Sequence, residues 1–230
     1  MRSLNRSNLR LRLLPESALV KTNPLDQAAW NYRPVLGGLQ RRRFDLVTEL
    51  LPDRIGRLLE LGYGSGVFMP ELARRCDDLH GADVHPESAA VTEALRAEGV
   101  VAHLVEAPAE ALPYDDRSFD CIVGVSCLEF VDSIDGACLE LRRVLRPGGT
   151  VVIVTPGYFP PLDWGLRAMT GEHPEATFQG RRQLVLPALR RHFQGDAERR
   201  FPPVPQLWLY TAFAGRRTSD RSLTAEQDPR

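Results

Sequence analysis

Three glycines, Gly62, Gly64 and Gly66, alternate through LLELGYGSGVF (58–68), and Glu60 stands two residues before the first of them. Glycine adopts backbone angles closed to other residues and lets a ligand lie against the main chain where a Cβ would clash. The run is therefore a candidate ligand cradle. A dinucleotide site has the spacing G-x-G-x-x-G, with a helix N-terminus facing the pyrophosphate. Here the spacing is G-x-G-x-G, which argues against NAD or FAD. Glu60 places a carboxylate where a pyrophosphate would be repelled and an ammonium or sulfonium attracted. Asp83, 21 residues after Gly62, ends a second apolar run, where an acidic side chain accepts hydrogen bonds from both ribose hydroxyls. These features ask for a nucleoside with a cationic tail.

The elements that must position these residues alternate along the chain. A helical pattern runs from Asp26 to Leu51, followed by a buried strand in GRLLELG, a helix in VFMPELARRC and a strand in LHGADV. PESAAVTEALRAEG then reads as a helix and VVAHLVEA as the third strand. FDCIVGVS is the fourth strand, IDGACLELRRVLRPGG a helix, TVVIVTP the fifth strand, and QLWLYTAFAGRR a final antiparallel edge strand. Such alternation favours an α/β fold, a doubly wound, mostly parallel sheet with helices on both faces. Its ligands bind at the carboxyl ends of the strands, where the sheet order switches direction.

S-adenosyl-L-methionine is a nucleoside with a cationic tail, and the sequence resembles the class I S-adenosylmethionine-dependent methyltransferases from about Leu58 to Pro156. The resemblance rests on LLELGYGSG, GADVHP, PAEALPYDDRSFDCIVGVSCLEFV and LRRVLRPGGTVVIV, four ordered motifs at the family's spacing. It implies a Rossmann-like sheet of seven strands and a methyl transfer to a small molecule. It also implies that Glu60 and the Gly62, Tyr63, Gly64 and Gly66 main chain hold the methionine part and that Asp83 holds the ribose. Val84 would pack on adenine, Ala109 and Glu110 lie by its edge, and Ser126 and Cys127 line the cleft floor. Many members carry an aspartate before the AEALP run, whereas this chain has Pro108, which offers no side-chain polarity and no amide hydrogen. Adenine must be read by Glu110 or by main chain alone. The resemblance leaves two alternatives: the same cofactor used for cyclisation or another alkyl transfer, and a non-catalytic partner protein.

Methyl transfer from a sulfonium is an in-line displacement, so alignment and exclusion of water are the protein's main tasks. If a proton must leave the acceptor, the side chains available to take it are His173, Tyr158, Glu129 and Tyr32. Glu129 could equally cap the next helix, and Asp83 could cap the helix after Pro86. Cys127 reads as a packing residue, since nothing nearby suggests thiolate stabilisation, and His85 as a loop residue. Trp30, Tyr32, Tyr158, Phe159 and Trp164 suit the walls of a pocket for an apolar or aromatic small molecule, or core packing. Arg33, Arg181 or Arg182 would meet an acidic group on it.

Bulk properties bound the rest. At 230 residues with 43% hydrophobic and 26% charged, the chain has the composition of one globular domain. The 29 basic and 30 acidic residues nearly cancel, and no broad basic surface calls for nucleic acid. No apolar run reaches the roughly 18 residues of a membrane span. Cys76, Cys121, Cys127 and Cys138 show neither zinc nor disulfide spacing, no His/Asp/Glu cluster suggests a metal, and a reducing cytoplasm is the expected setting. The expected organisation is a basic flexible arm over 1–25 and a single domain over 26–217. That domain has its core at 56–156 and a lid at about 157–206, and a disordered tail follows over 218–230. Nothing in the sequence fixes the oligomeric state.

Overall fold

The computed structural model describes residues 11–23, 28–34, 36–157, 180–205 and 207–218. Its centre is a seven-stranded sheet in the order β3-β2-β1-β4-β5-β7-β6. Strands β1 (Ile55–Leu61), β2 (Cys76–Asp83), β3 (His103–Glu106), β4 (Phe119–Val125) and β5 (Leu145–Pro156) run parallel. Strand β7 (Tyr210–Arg216) is antiparallel to both β5 and β6 (Gln194–Phe201). The helices are α1 (Leu36–Leu50), α2 (Met69–Leu72), α3 (Ser88–Ala97), α4 (Ile134–Val144) and α5 (Arg182–His192).

Parallel strands are covered on both faces, so successive residues bury into opposite cores. Leu58, Cys121, Val123, Val152 and Val154 join Phe44 and Val47 of α1 in one core. Their neighbours Leu59, Ile122, Val151 and Ile153 join Leu141 of α4 and Val185 and Leu189 of α5 in the other. The chain lays β1, β2 and β3 outward on one side, then crosses to start β4 on the other side of β1. The carboxyl ends of β1 and β4 therefore meet at the switch point, and the glycine run begins there.

Four sequence expectations change. QLWLYTAFAGRR supplies an antiparallel strand, but β7 lies inside the sheet, and the edge is β6, from the polar QGDAERRF. An edge strand faces solvent and so lacks the apolar pattern by which a strand is recognised. Residues 182–201, expected within a lid, form α5 and this edge strand. The helix after the glycines is a single turn, Met69–Leu72, because the chain is already turning into β2 at Cys76. A dipole argument at its N-terminus loses its weight.

The expected flexible arm is, over residues 11–23, a packed strap. Leu14 is fully buried, and its amide donates to the Val67 carbonyl at 3.0 Å. The Arg12 amide donates to Glu71 Oε2 at 2.9 Å, and the Tyr32 hydroxyl donates to the Leu14 carbonyl. Basic residues dominate the charge count there, yet Leu11, Leu13 and Leu14 between them meet the core of the α1 face. Residues 1–10 and 219–230, the outer parts of the expected arm and tail, lie outside the described residues.

Candidate functional site

At the end of β1 the chain turns through Gly62, Gly64 and Gly66 with φ of 69°, 50° and 71°. The left-handed region favours glycine, and two of the positions need it for different reasons. A Cβ at Gly62 would stand 2.5 Å from the Cβ of Cys127, so this glycine lets β1 and the turn after β4 close on each other. A Cβ at Gly64 would meet nothing within 4 Å. That side of the loop is open, and a ligand can reach the main chain there.

Asp83, at the end of β2, reaches back to this loop. Its Oδ2 accepts from the Gly64 amide at 2.8 Å and its Oδ1 from the Val84 amide at 2.7 Å. It caps no helix, for α3 starts beyond Glu87 without a side-chain cap. Each oxygen keeps capacity for a further donor, as a pair of ribose hydroxyls would require. Val84 beside it is 68% exposed, an apolar side chain left open to solvent.

His85, read from the sequence as a loop residue, is held against the glycine loop. It is buried, its Nδ1 accepts from the Glu87 amide at 3.1 Å, and its Nε2 lies 3.0 Å from the Gly64 carbonyl. That pair of partners assigns the proton to Nε2, which donates to Gly64. Tyr63 packs its ring edge against His85 at 4.9 Å, with its hydroxyl buried and no partner in reach. Tyr63 therefore offers only its main chain to a ligand. One histidine in a loop carries no sequence signal for such a role.

The other wall follows β4. Ser126 has φ of 53°, unusual for a residue with a side chain, and its amide donates to Val154 at 2.8 Å. Burial, then the nearby carboxylates of Glu129, Asp83 and Glu60, push the Cys127 thiol well above its usual range. It stays a protonated packing residue, with no nucleophilic character. Glu110 Oε1 accepts from the Ser133 amide at 2.9 Å, and Ser133 Oγ accepts from Gly136 at 3.0 Å, so this pair starts α4. Glu110 keeps acceptor capacity for an adenine edge, most of it on its second oxygen. Ala109 is buried and Pro108 exposed.

Buried polar atoms without partners gather at this end of the sheet. Among the described residues, Glu60 Oε2, Ser65 Oγ, both carboxylate oxygens of Glu129 and Thr155 Oγ1 have no hydrogen-bond partner. A buried polar group left unpaired costs free energy, which a bound ligand at this end of the sheet would relieve. Burial and the neighbouring Asp83 raise the Glu60 pKa well above the ordinary carboxylate value, with Arg43 of α1 opposing. A cationic ligand would relieve that penalty, and the residues therefore fit a sulfonium cofactor.

Of the other proton-handling side chains, Tyr32 spends its hydroxyl on Leu14, and burial, then Glu16, raise its pKa. His173, Tyr158, Phe159 and Trp164 lie outside the described residues. Arg33 is exposed, whereas Arg181 donates to the Val131 carbonyl at 2.9 Å and the buried Arg182 to Gly157 at 3.3 Å. An open depression of about 440 Å³ lined by Asp53, Arg54, Arg74, Asp77 and Asp120 lies at the opposite, amino end of β1 and β2. It contains none of the residues above.

Residues 59–153 match the family model described as a methyltransferase domain. Over these residues the chain is similar to the S-adenosylmethionine-dependent methyltransferases. The domain is 36% identical over 104 residues to the ubiquinone/menaquinone biosynthesis C-methyltransferase of Vibrio cholerae, covering 43% of this chain and 40% of that one. It is 32% identical over 161 residues to the malonyl-[acyl-carrier protein] O-methyltransferase of Enterobacter lignolyticus, covering 67% and 62%. The chain thus spans about half the length of the curated relatives it matches. A solved geranyl diphosphate methyltransferase in complex with GPP and sinefungin shares the fold, with a TM-score of 0.65 at 16% identity over 83% of each chain.

Proposed function

We propose that this chain transfers a methyl group from S-adenosylmethionine to a small, largely apolar acceptor. The observation that carries the reading is the set of buried, unpartnered polar atoms on Glu60, Ser65, Glu129 and Thr155 around a glycine loop whose outer side is open. In this reading Glu60 and the Gly62–Gly66 main chain hold the methionine end and Asp83 the ribose. Val84 covers one adenine face, while Ala109 and the free oxygen of Glu110 line its edge. Ser126 and Cys127 form the floor between cofactor and acceptor, and His85 keeps the loop in register through Gly64. Bound there, the cofactor would supply an electrophilic methyl and the positive charge that Glu60 lacks.

A small-molecule acceptor is supported by the charge distribution: outside the basic first 43 residues, acidic side chains outnumber basic ones. Both relatives are named for small or carrier-borne acceptors. No described helix is long and apolar enough to cross a membrane, and the four cysteines are free, which suits a reducing cytoplasm.

Calorimetric titration of the full chain with S-adenosylmethionine, S-adenosylhomocysteine and NAD tests the cofactor. The two sulfur nucleosides are expected to bind and NAD to fail. Asp83→Ala removes both the ribose acceptor and the anchor of the Gly64 amide, so it should weaken S-adenosylhomocysteine by at least about 100-fold, as loss of a charged hydrogen-bond partner implies. Tight NAD binding, or indifference to Asp83→Ala, sinks the assignment. A product heavier by one methyl, formed with S-adenosylhomocysteine, separates methyl transfer from cyclisation.

A further inference from the structure

Glu129 is 1% exposed, in the short turn after β4, and neither of its carboxylate oxygens has a hydrogen-bond partner. The helix-capping role that its position allowed is filled by Ser133, whose Oγ accepts from Gly136 and whose own amide is held by Glu110. It adjoins Cys127, which packs against Gly62 at the foot of the glycine loop. Among the described residues, the charged groups facing it are Arg182 from α5 and Arg43 from α1, and the Cys127 thiol is a further titratable neighbour. Such a carboxylate, unspent on helix capping and two residues beyond the Cys127 that meets the glycine loop, is a candidate to meet the acceptor.

We propose that Glu129 is the proton acceptor of the reaction and that the acceptor molecule presents a weakly acidic hydroxyl, phenolic or enolic, to it. The inference rests on the methyl-transfer reading above. Burial outweighs the pull of its own amide and of the two arginines, and brings Glu129 to about 7. A base titrating near neutral pH is matched to proton transfer at neutral pH. It lies about three pH units below a phenol such as tyrosine, a gap that transfer coupled to methyl arrival can bridge, whereas an alkyl alcohol is a far weaker acid. Arg43 and Arg182 add positive potential at this point, which favours a hydroxyl whose oxygen gains negative charge over a neutral arylamine, a far weaker acid.

The step balances on these atoms. The acceptor O–H bond breaks, the proton passes to a Glu129 oxygen, and the electron pair stays on the acceptor oxygen. The new bond to methyl forms from that oxygen, or from the ring carbon that its electrons enrich, in which case the carbon's proton leaves afterwards to water. The cofactor, when bound, supplies the methyl and keeps the electron pair of its broken sulfur–carbon bond as a thioether. Glu129 returns its proton to water once product departs.

Two isosteric probes, 2-naphthol and 2-naphthylamine, test this on the full chain. On protein saturated with S-adenosylhomocysteine, 2-naphthol should bind at least about tenfold tighter than the amine at pH 7, the scale of one charge-assisted hydrogen bond. Glu129→Gln should abolish that preference while leaving S-adenosylhomocysteine affinity within about threefold of the parent. With S-adenosylmethionine, mass spectrometry should find the methyl on the naphthol. The parent rate should fall below pH 7 with unit slope, and the variant should lose that limb and at least about 100-fold in kcat. Failure of 2-naphthol to bind, equal binding of the two probes, methyl on the amine alone, or a variant with the parent's pH profile would each overturn the proposal. Absence of S-adenosylhomocysteine binding by the parent would instead defeat the methyl-transfer reading itself.

Discussion

Burial of Glu129 without a hydrogen-bond partner is a cost to the folded chain that depends on pH. Its folded-state pKa of about 7 stands above the ordinary 4.5. Between those values the folded chain binds more protons than the unfolded one, so stability falls as pH rises. Below 4.5 both states are protonated and the penalty is absent; above 7 it is complete, roughly 3 kcal/mol at most. Glu129→Gln removes the titration and leaves Glu60 to contribute equally to both proteins. Urea denaturation of the two ligand-free chains should show the variant gaining on the parent from pH 5 to pH 8 by up to that amount. A constant difference across the range would mean that Glu129 is solvated or paired. This isolation was not legible in the sequence, because it depends on what fails to approach a side chain. The placement of Gly62, Gly64 and Asp83 around one loop was legible, since it rests on spacing along a strand–turn–strand unit.

At the scale of elements, the strap 11–23 is the largest departure from expectation. The basic residues of the N-terminal segment read as a solvated arm, while Leu11, Leu13 and Leu14 pack beside the turn that follows the glycine loop. The strap is joined to that turn by Leu14 to Val67 and Arg12 to Glu71. Short apolar segments that dock late in the fold have no periodicity of their own, and β6 escapes notice for the related reason that an edge strand can be polar. Parallel strands β1, β4 and β5 were legible because burial on both faces requires unbroken apolar runs. If the strap is structural, Leu14→Ala should cost about 2–5 kcal/mol, the range for truncating a buried leucine. A loss below about 1 kcal/mol in urea denaturation would return the strap to a loosely held arm. The affinity for S-adenosylhomocysteine should stay within about threefold, since the Leu14 amide and carbonyl survive the substitution.

The whole molecule joins these scales through the switch point of its sheet. The turns after β1, β2 and β4 carry the candidate site: the Gly62 amide donates to the Ala82 carbonyl and the Gly64 amide to the Asp83 carboxylate, while the Ser126 amide ties the third turn to Val154 on β5. A ligand seated there touches elements from both halves of the sheet, which are assembled only in the folded state. Binding must therefore stabilise the entire domain, by RT ln(1 + [L]/Kd), or about 2.7 kcal/mol at a hundredfold excess over Kd. For a chain of this length each kcal/mol moves the melting temperature by about 2–4 °C. S-adenosylhomocysteine at that excess should raise it by roughly 5–10 °C. NAD at the same concentration should produce no shift, because its pyrophosphate would face Glu60 and the loop no longer ends in a long helix whose dipole could offset the repulsion. Asp83→Ala should lose the S-adenosylhomocysteine response. A comparable shift with NAD would mean that the G-x-G-x-G loop accepts a phosphate after all, and that the unpartnered carboxylate of Glu60 is not selecting a cation.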